Sequence, residues 1–428
     1  MKHPSLFTRR DFLQTGVLGG SAALTLPAFV GSTMQQLAAA EGADDKDQPI
    51  LLVIQLAGGN DGLNTVVPWE NDHYYRARTR LAVKKGDCLK LDDEFGLNKN
   101  ARGFKQLWDD GKLGVIHGVG YPNPNRSHFR STEIWHTASD SKQQLAQGWI
   151  GRYFDNHCKG AEPSVGISIT KQSPQAFRAK NPIGVTFDDP SRFRFEGLED
   201  GDTPEEELFL ANNDGGSINM LESGGQMKME PGMSALDFLE RTALDAQVSS
   251  DQIDTVLKAK KTGAKYPGTP FSRQLQLIAQ LIAGGMGTRV YYASRGGFDT
   301  HANQAASHGG LWQDVSNALL AFQRDLEAQG HGKRVTTLVF TEFGRRVKEN
   351  ASGGTDHGAA GPAFVIGSSI KPGFHGTMPS LAPADLFRGD LEHSTDFRSV
   401  YATMMDQVLG VDSVAVLGRK FESLKLFG

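Results

Sequence analysis

Apolar residues fall along this chain in short unbroken runs rather than in strict alternation with polar ones. Residues 50–56 read ILLVIQL, 113–119 LGVIHGV, 289–293 RVYYA, 335–341 VTTLVFT and 363–367 AFVIG. Runs of that length without a polar side fit strands covered on both faces. Helical spacing occupies the stretches between them, around Phe104 to Trp108, Phe271 to Ala283 and Leu311 to Glu327, and a further helix start is expected near Ser127, after Pro122 and Pro124. Repeated alternation of strand and helix predicts an α/β fold, a mostly parallel sheet with helices on both faces. From about 191 to 267 the texture is acidic, glycine-containing and poorly patterned before a helix-like stretch from Ala235 to Lys261. This segment is expected to be an elaboration on the core, its acidic run a solvated linker.

Residues 1–40 read as an address rather than as fold. Thr8-Arg9-Arg10-Asp11-Phe12-Leu13 precedes an apolar stretch from Val17 to Val30 and the run Ala38-Ala39-Ala40, which resembles a twin-arginine export signal. A membrane anchor is the competing reading, but Gly19, Gly20 and Pro27 break the stretch, which falls short of the ~20 apolar residues a span needs. The expected location is therefore periplasmic or extracellular, and the expected partner is the twin-arginine translocation machinery. That route carries folded cargo, so a metal acquired in the cytoplasm fits it. The rest of the chain, 41–428, is long enough to bury a large core.

Charge removes some function classes. The 428 residues carry 45 Lys plus Arg against 49 Asp plus Glu, a formal charge of −4, which leaves no basic excess to bind nucleic acid. With Cys88 and Cys158 the only cysteines, a thiolate-rich zinc site is excluded, and a single disulfide or two free thiols both remain open. No P-loop, dinucleotide fingerprint or HExxH helix is present.

Candidate chemistry sits where the apolar runs end. Asn60-Asp61-Gly62 follows the first run, and Asp299-Thr300-His301, Thr341-Glu342 and Thr355-Asp356-His357 are read as following the later ones. If those runs are neighbouring parallel strands, the clusters meet at one rim and supply the mixed carboxylate and imidazole donors of a divalent metal site. Asp61, Asp299, His301, Glu342 and His357 are the candidate ligands. Each cluster also has a structural reading, as a turn or an ion pair, such as Glu342 with Arg345 or Arg346. Ser127, at the start of the helix, can cap backbone amides. Those amides also favour an oxyanion, and Arg126 and Arg130 add donors, with Arg345 a further candidate.

The segments GGNDGLNTVVP, YPNPNRSHFRSTEIWHT, GGFDTHANQ, TEFGRRVKENASGGTDHGAAGPAFVIG and GDLEHSTDFRSVYATMM together resemble the domain-of-unknown-function family 1501 of exported bacterial proteins, from about residue 50 onward. That family is in turn similar, more distantly, to the alkaline phosphatase and sulfatase superfamily. The resemblance implies an alkaline-phosphatase-like domain that hydrolyses phosphate or sulfate esters, with Ser127 as nucleophile. It further implies Asp61, Asp299, His301, Glu342 and His357 as ligands of one or two divalent ions. Two departures stand out: Asp299 and His301 are separated by one residue where the superfamily has three, and its Asp-His pair appears as Glu342-Phe343. One ligand set is then incomplete, which admits a single-metal site or a catalytically silent relative. Mixed Asp, Glu and His ligands lean toward zinc or manganese, with calcium and magnesium open. The expected substrate is a small or polymeric anionic ester; the alternative is a non-catalytic, metal-containing binder of an anionic glycan or cell-surface polymer.

Overall fold

In β1 (Ile50–Leu56) every side chain is buried, with successive residues entering opposite cores. Ile50, Leu52, Ile54 and Leu56 pack on one face of the sheet and Leu51 and Val53 on the other, as the period of two in a strand requires. The structure is a computed structural model describing residues 48–181, 183–190, 249 and 251–428. The expected export segment, and the elaboration apart from 249 and 251–267, lie outside the described residues; within the latter, 251–259 is helical.

The other strands are β2 (Val66–Val67), β3 (Cys88–Lys90), β4 (Gly96–Asn98), β5 (Leu113–Gly120), β6 (Gly166–Ile169), β7 (Val185–Phe187), β8 (Val290–Arg295), β9 (Val335–Phe340), β10 (Gly361–Ile366), β11 (Gly373–His375) and β12 (Thr395–Asp396). The main sheet has the order β11-β5-β10-β9-β1-β8-β6-β7, with β12 beside β5, while β2, β4 and β3 form a small antiparallel sheet. β1 runs parallel to β8 and β9, and β6 and β7 continue that direction.

β10 is the exception, antiparallel to both β5 and β9. Two reversals leave β5 pointing the same way as β9. The expectation that each cluster follows a strand is corrected here: Thr355-Asp356-His357 precedes β10. Because β10 runs backwards, its start lies at the rim where β1, β5, β8 and β9 end. A reversed strand thus delivers to that rim from its N-terminal side what the others deliver from their C-terminal sides.

Helices cover both faces. On the Ile50 side lie α1 (Arg102–Asp109), and on the opposite side α2 (His128–Thr137) and α3 (Trp149–His157). The first layer is completed by α4 (Pro270–Ala283) and α5 (Gln304–Ala328), the second by α6 (Phe397–Thr403). α5 begins seven residues before the expected Leu311, since Gly309 and Gly310 interrupt the apolar spacing without ending the helix. α1 crosses it at Gly103, where a Cβ would meet the Ser316 carbonyl oxygen at 2.0 Å; glycine permits that approach. Cys88 and Cys158 are both free. Among the described residues no helix is long and apolar enough to cross a membrane.

Candidate metal centre

β1 leaves the sheet through Gly58 and Gly59, at φ of 118° and 78°, a region that disfavours side chains. A Cβ on Gly58 would stand 2.4 Å from the Asp299 amide nitrogen, and one on Gly59 would strike the Phe343 ring at 2.3 Å. The two glycines therefore let the β1 exit pack directly against the loops after β8 and β9. The Gly58 N–H donates to Glu342 Oε1 at 2.8 Å.

Asp299 Oδ1 is the focus of the rim. His301 Nε2 lies 3.0 Å from it, His357 Nε2 3.1 Å and His128 Nε2 3.4 Å. Each imidazole has its other nitrogen turned outward to an acceptor. His128 Nδ1 bonds Glu342 Oε1 at 2.9 Å, His357 Nδ1 bonds the Arg126 carbonyl at 2.7 Å, and His301 Nδ1 faces Asp356 Oδ1 at 3.3 Å. As the rings stand, His301 Nε2 and His357 Nε2 lie 2.9 Å apart and share a proton; with the proton of each ring on Nδ1 instead, each Nε2 would direct a lone pair inward. His128 Nε2 is buried and has no hydrogen-bond partner. One ligand atom each from His128, Asp299 and His357 lie within 4.8 Å of one another, a spacing one divalent cation can bridge.

Arg345 holds the focus in place. Its wholly buried side chain donates to the carbonyls of Gly58, Gly59, Phe298 and Thr355 and, at 2.7 Å, to Asp299 Oδ1. Burial alone would raise the Asp299 carboxyl, but the Arg345 and His357 bonds outweigh it and hold the group at about 2. The Glu342 hydrogen bond raises the His128 imidazole above its ordinary value. Phe343, where the superfamily pattern would place an imidazole, packs its ring against those of His128 and His357 at 4.9 and 4.8 Å.

Of the expected ligands, Asp299, His301 and His357 come together and Glu342 stands behind His128, bonded to its outward nitrogen. Asp61 lies apart. Its buried carboxylate pairs with Arg78 at 2.6 Å, accepts from Gln304 and caps the Asn64 amide. Burial would raise it, yet Arg78 holds it below the usual carboxylate range. Its link to the rim is indirect: Gln304 Oε1 accepts from Thr300 Oγ1 at 3.0 Å and Thr355 Oγ1 at 2.6 Å. One amide thereby ties the loop of Asp299 and His301 to that of Asp356 and His357.

Ser127 is exposed and occupies the N-cap position of α2 without a side-chain capping bond. Both of its neighbours belong to the rim, Arg126 through its carbonyl and His128 through its ring. The expected anion donors are engaged elsewhere: Arg126 pairs with Asp390, and Arg130 with Glu133 and the carbonyls of Asp140, Ser141 and Gln143. His128 had not been singled out from the sequence, although it stands beside Ser127 within NPNRSHFR.

The family described as "Protein of unknown function (DUF1501)" matches residues 210–422. The chain belongs to this family. The matched stretch holds Asp299, His301, Gln304, Glu342, Arg345 and His357, whereas Asp61, Arg78, Arg126, Ser127, His128 and Arg130 precede it. No curated protein matches the sequence. Among solved structures, the C-terminal periplasmic domain of EcEptC from Escherichia coli is 10% identical, with 89% of each chain covered and a TM-score of 0.38. The lipoteichoic acid synthase LtaP from Listeria monocytogenes is 9% identical, with 83% of this chain and 76% of that one covered and a TM-score of 0.31. The PsFucS1 sulfatase from Pseudoalteromonas sp. is 8% identical, with 92% and 72% covered and a TM-score of 0.33. The functional reading rests on the residues of the rim.

Proposed function

We propose that this chain is an exported metal-dependent hydrolase of phosphate or sulfate esters, with residues 1–40 as its export signal and 41–428 as its catalytic-type domain. The observation that carries the reading is the convergence of three imidazole Nε2 atoms on one carboxylate oxygen, each ring fixed from behind. The unpartnered His128 Nε2 adds to it. Such a nitrogen is costly to bury unless something binds it.

His128, His301, His357 and Asp299 would hold a single divalent ion, and Glu342 would orient His128 rather than coordinate. Three imidazoles and one carboxylate suit zinc, or manganese, better than the all-oxygen shells of calcium and magnesium. Bound there, the ion would supply Lewis acidity toward an ester oxygen and favour ionisation of a nearby hydroxyl. Ser127 would be that hydroxyl, at a helix N-terminus whose first amides lack intrahelical acceptors and favour an oxyanion. Its Oγ would bond to phosphorus or sulfur as the alcohol departs, its proton passing to solvent; water would then release the serine.

The second reading is a metal-containing binder of an anionic glycan, favoured by one observation: Ser127 is exposed and its hydroxyl caps nothing. Turnover of an aryl phosphate and an aryl sulfate by the metal-loaded protein separates the two. Under the hydrolase reading Ser127→Ala abolishes turnover with metal content intact. Unchanged turnover would remove Ser127 from the mechanism, and a wild-type protein that holds metal but turns over neither ester would favour the binder.

A further inference from the structure

Beside the centre, one buried carboxylate organises two arginines. Asp390 is wholly buried; its Oδ2 accepts from Arg126 Nε at 2.8 Å and also from Nη2 of the same arginine, while Arg346 Nε lies 3.4 Å from Oδ1. Both guanidinium groups also donate to the Arg388 carbonyl, Arg346 at 2.6 Å and Arg126 at 3.4 Å. Gly389 makes room for this, since a Cβ there would meet Arg346 Nη2 at 2.5 Å. Arg388 stands exposed at the turn, its guanidinium over the Phe387 ring, and among the described residues no carboxylate pairs with it.

The charges do not balance. Two of the three guanidinium groups share one carboxylate and the third, that of Arg388, has none; a further acid near Arg346, Asp356, faces His301. Arg126 spends Nε and Nη2 on Asp390, while Arg346 donates Nη2 to the Arg388 carbonyl and brings its Nε only into ion-pair distance of Asp390 Oδ1; among the described residues neither Nη1 makes a hydrogen bond. Their side chains are 38% and 35% exposed. Guanidinium groups held from behind by a buried carboxylate are preorganised donors for a tetrahedral oxyanion. The site adjoins the centre by two hydrogen bonds to backbone carbonyls, from the His357 side chain through Nδ1 to Arg126 at 2.7 Å and from the Arg346 amide to Asp356 at 3.0 Å.

We propose that Arg126, Arg346 and Arg388 form a second anion subsite beside the metal centre, which takes a further sulfate or phosphate group of an ester substrate carrying several. This deepens the hydrolase reading and rests on it: the substrate class becomes oligoanionic esters rather than isolated monoesters.

The test is calorimetric titration of the full chain, stripped of metal with EDTA, with a heparin tetrasaccharide in one arm and tripolyphosphate in the other. The two arms separate sulfate from phosphate preference. Arg388→Asn removes a charge while suiting the positive φ of 56° at that position, and Arg346→Gln removes a second. A lost charge-assisted contact corresponds to about tenfold in affinity, so each variant should bind at least one probe about tenfold more weakly than wild type. Thermal melts of the same samples establish that the variants are folded; Arg388→Asn, being exposed, keeps the question answerable if Arg346→Gln does not fold. Binding of both probes by folded variants at wild-type affinity, or no binding by wild type, would overturn the subsite. Failure of the metal reading would show separately, as wild-type protein without bound metal.

Discussion

Glu342→Gln tests whether Glu342 supports a ligand or is one. The substitution keeps the shape of a side chain that is 2% exposed, so Oε1 can still accept from the Gly58 amide and from His128 Nδ1, now as a neutral amide oxygen. What is lost is the charge behind the imidazole. Hydrogen bonds to charged groups contribute about 1.5–3 kcal/mol against about 1 for neutral pairs, and removal of an outer partner of a metal-bound histidine typically weakens metal binding about 10–100-fold. The expected outcome is zinc affinity reduced within that range at pH 7, with a melting temperature close to wild type in the metal-free state. Competition titration against a chromophoric chelator measures the first and a thermal melt the second. Affinity unchanged within about twofold would refute the supporting role. A loss of several thousandfold would instead make Glu342 a direct ligand, as the sequence pattern had suggested.

Three further outcomes follow from the same geometry. Gln304→Leu releases Thr300 and Thr355 and should weaken zinc binding about tenfold or more, measured by the same titration; unchanged affinity would mean the two loops hold their places unaided. Arg345 makes bonds to four carbonyls and a carboxylate, and a lysine has three donors at most, so Arg345→Lys gives up at least two of those five bonds. At about 1–3 kcal/mol each, the loss should be plain in urea unfolding, and a stability within about 0.5 kcal/mol of wild type would contradict the clamp. His117, His136 and His308 are each pushed down to about 4 by burial, so between about pH 6.5 and 4 the unfolded chain binds protons that the folded one refuses. Stability is then full above that window and falls as pH drops through it; a melting temperature constant from pH 7 to 4 would contradict this.

The sheet was readable because its central strands are buried on both faces, and Ile50 to Leu56 meets that burial with apolar residues at every position but Gln55, whose amide oxygen accepts from the Tyr292 hydroxyl. β6, reading Gly166-Ile167-Ser168-Ile169, and the two-residue β12 carry no such signal. The direction of β10 was not readable either, since an apolar run is the same in both directions. At the rim, Asp299, His301 and His357 stood out by residue type and position. His128 did not, because a histidine in the first turn of a helix looks like any other surface residue until the loop after β9 is folded against it. Asp61 misled for the converse reason: a carboxylate after a strand reads alike whether it faces a cation or, as here, the Arg78 guanidinium at 2.6 Å. The arginines followed the same logic, their charge visible in the sequence and the carboxylates and carbonyls that claim it visible only in the fold.

The central claim is that His128, Asp299, His301 and His357 together bind one divalent ion. Elemental analysis of the purified, folded protein tests it directly, set beside the same analysis of folded His128→Ala and His357→Ala. The account predicts one equivalent of zinc or manganese per wild-type chain and little in either variant. Wild-type protein that remains metal-free after incubation with these ions, or variants that hold as much as wild type, would contradict it.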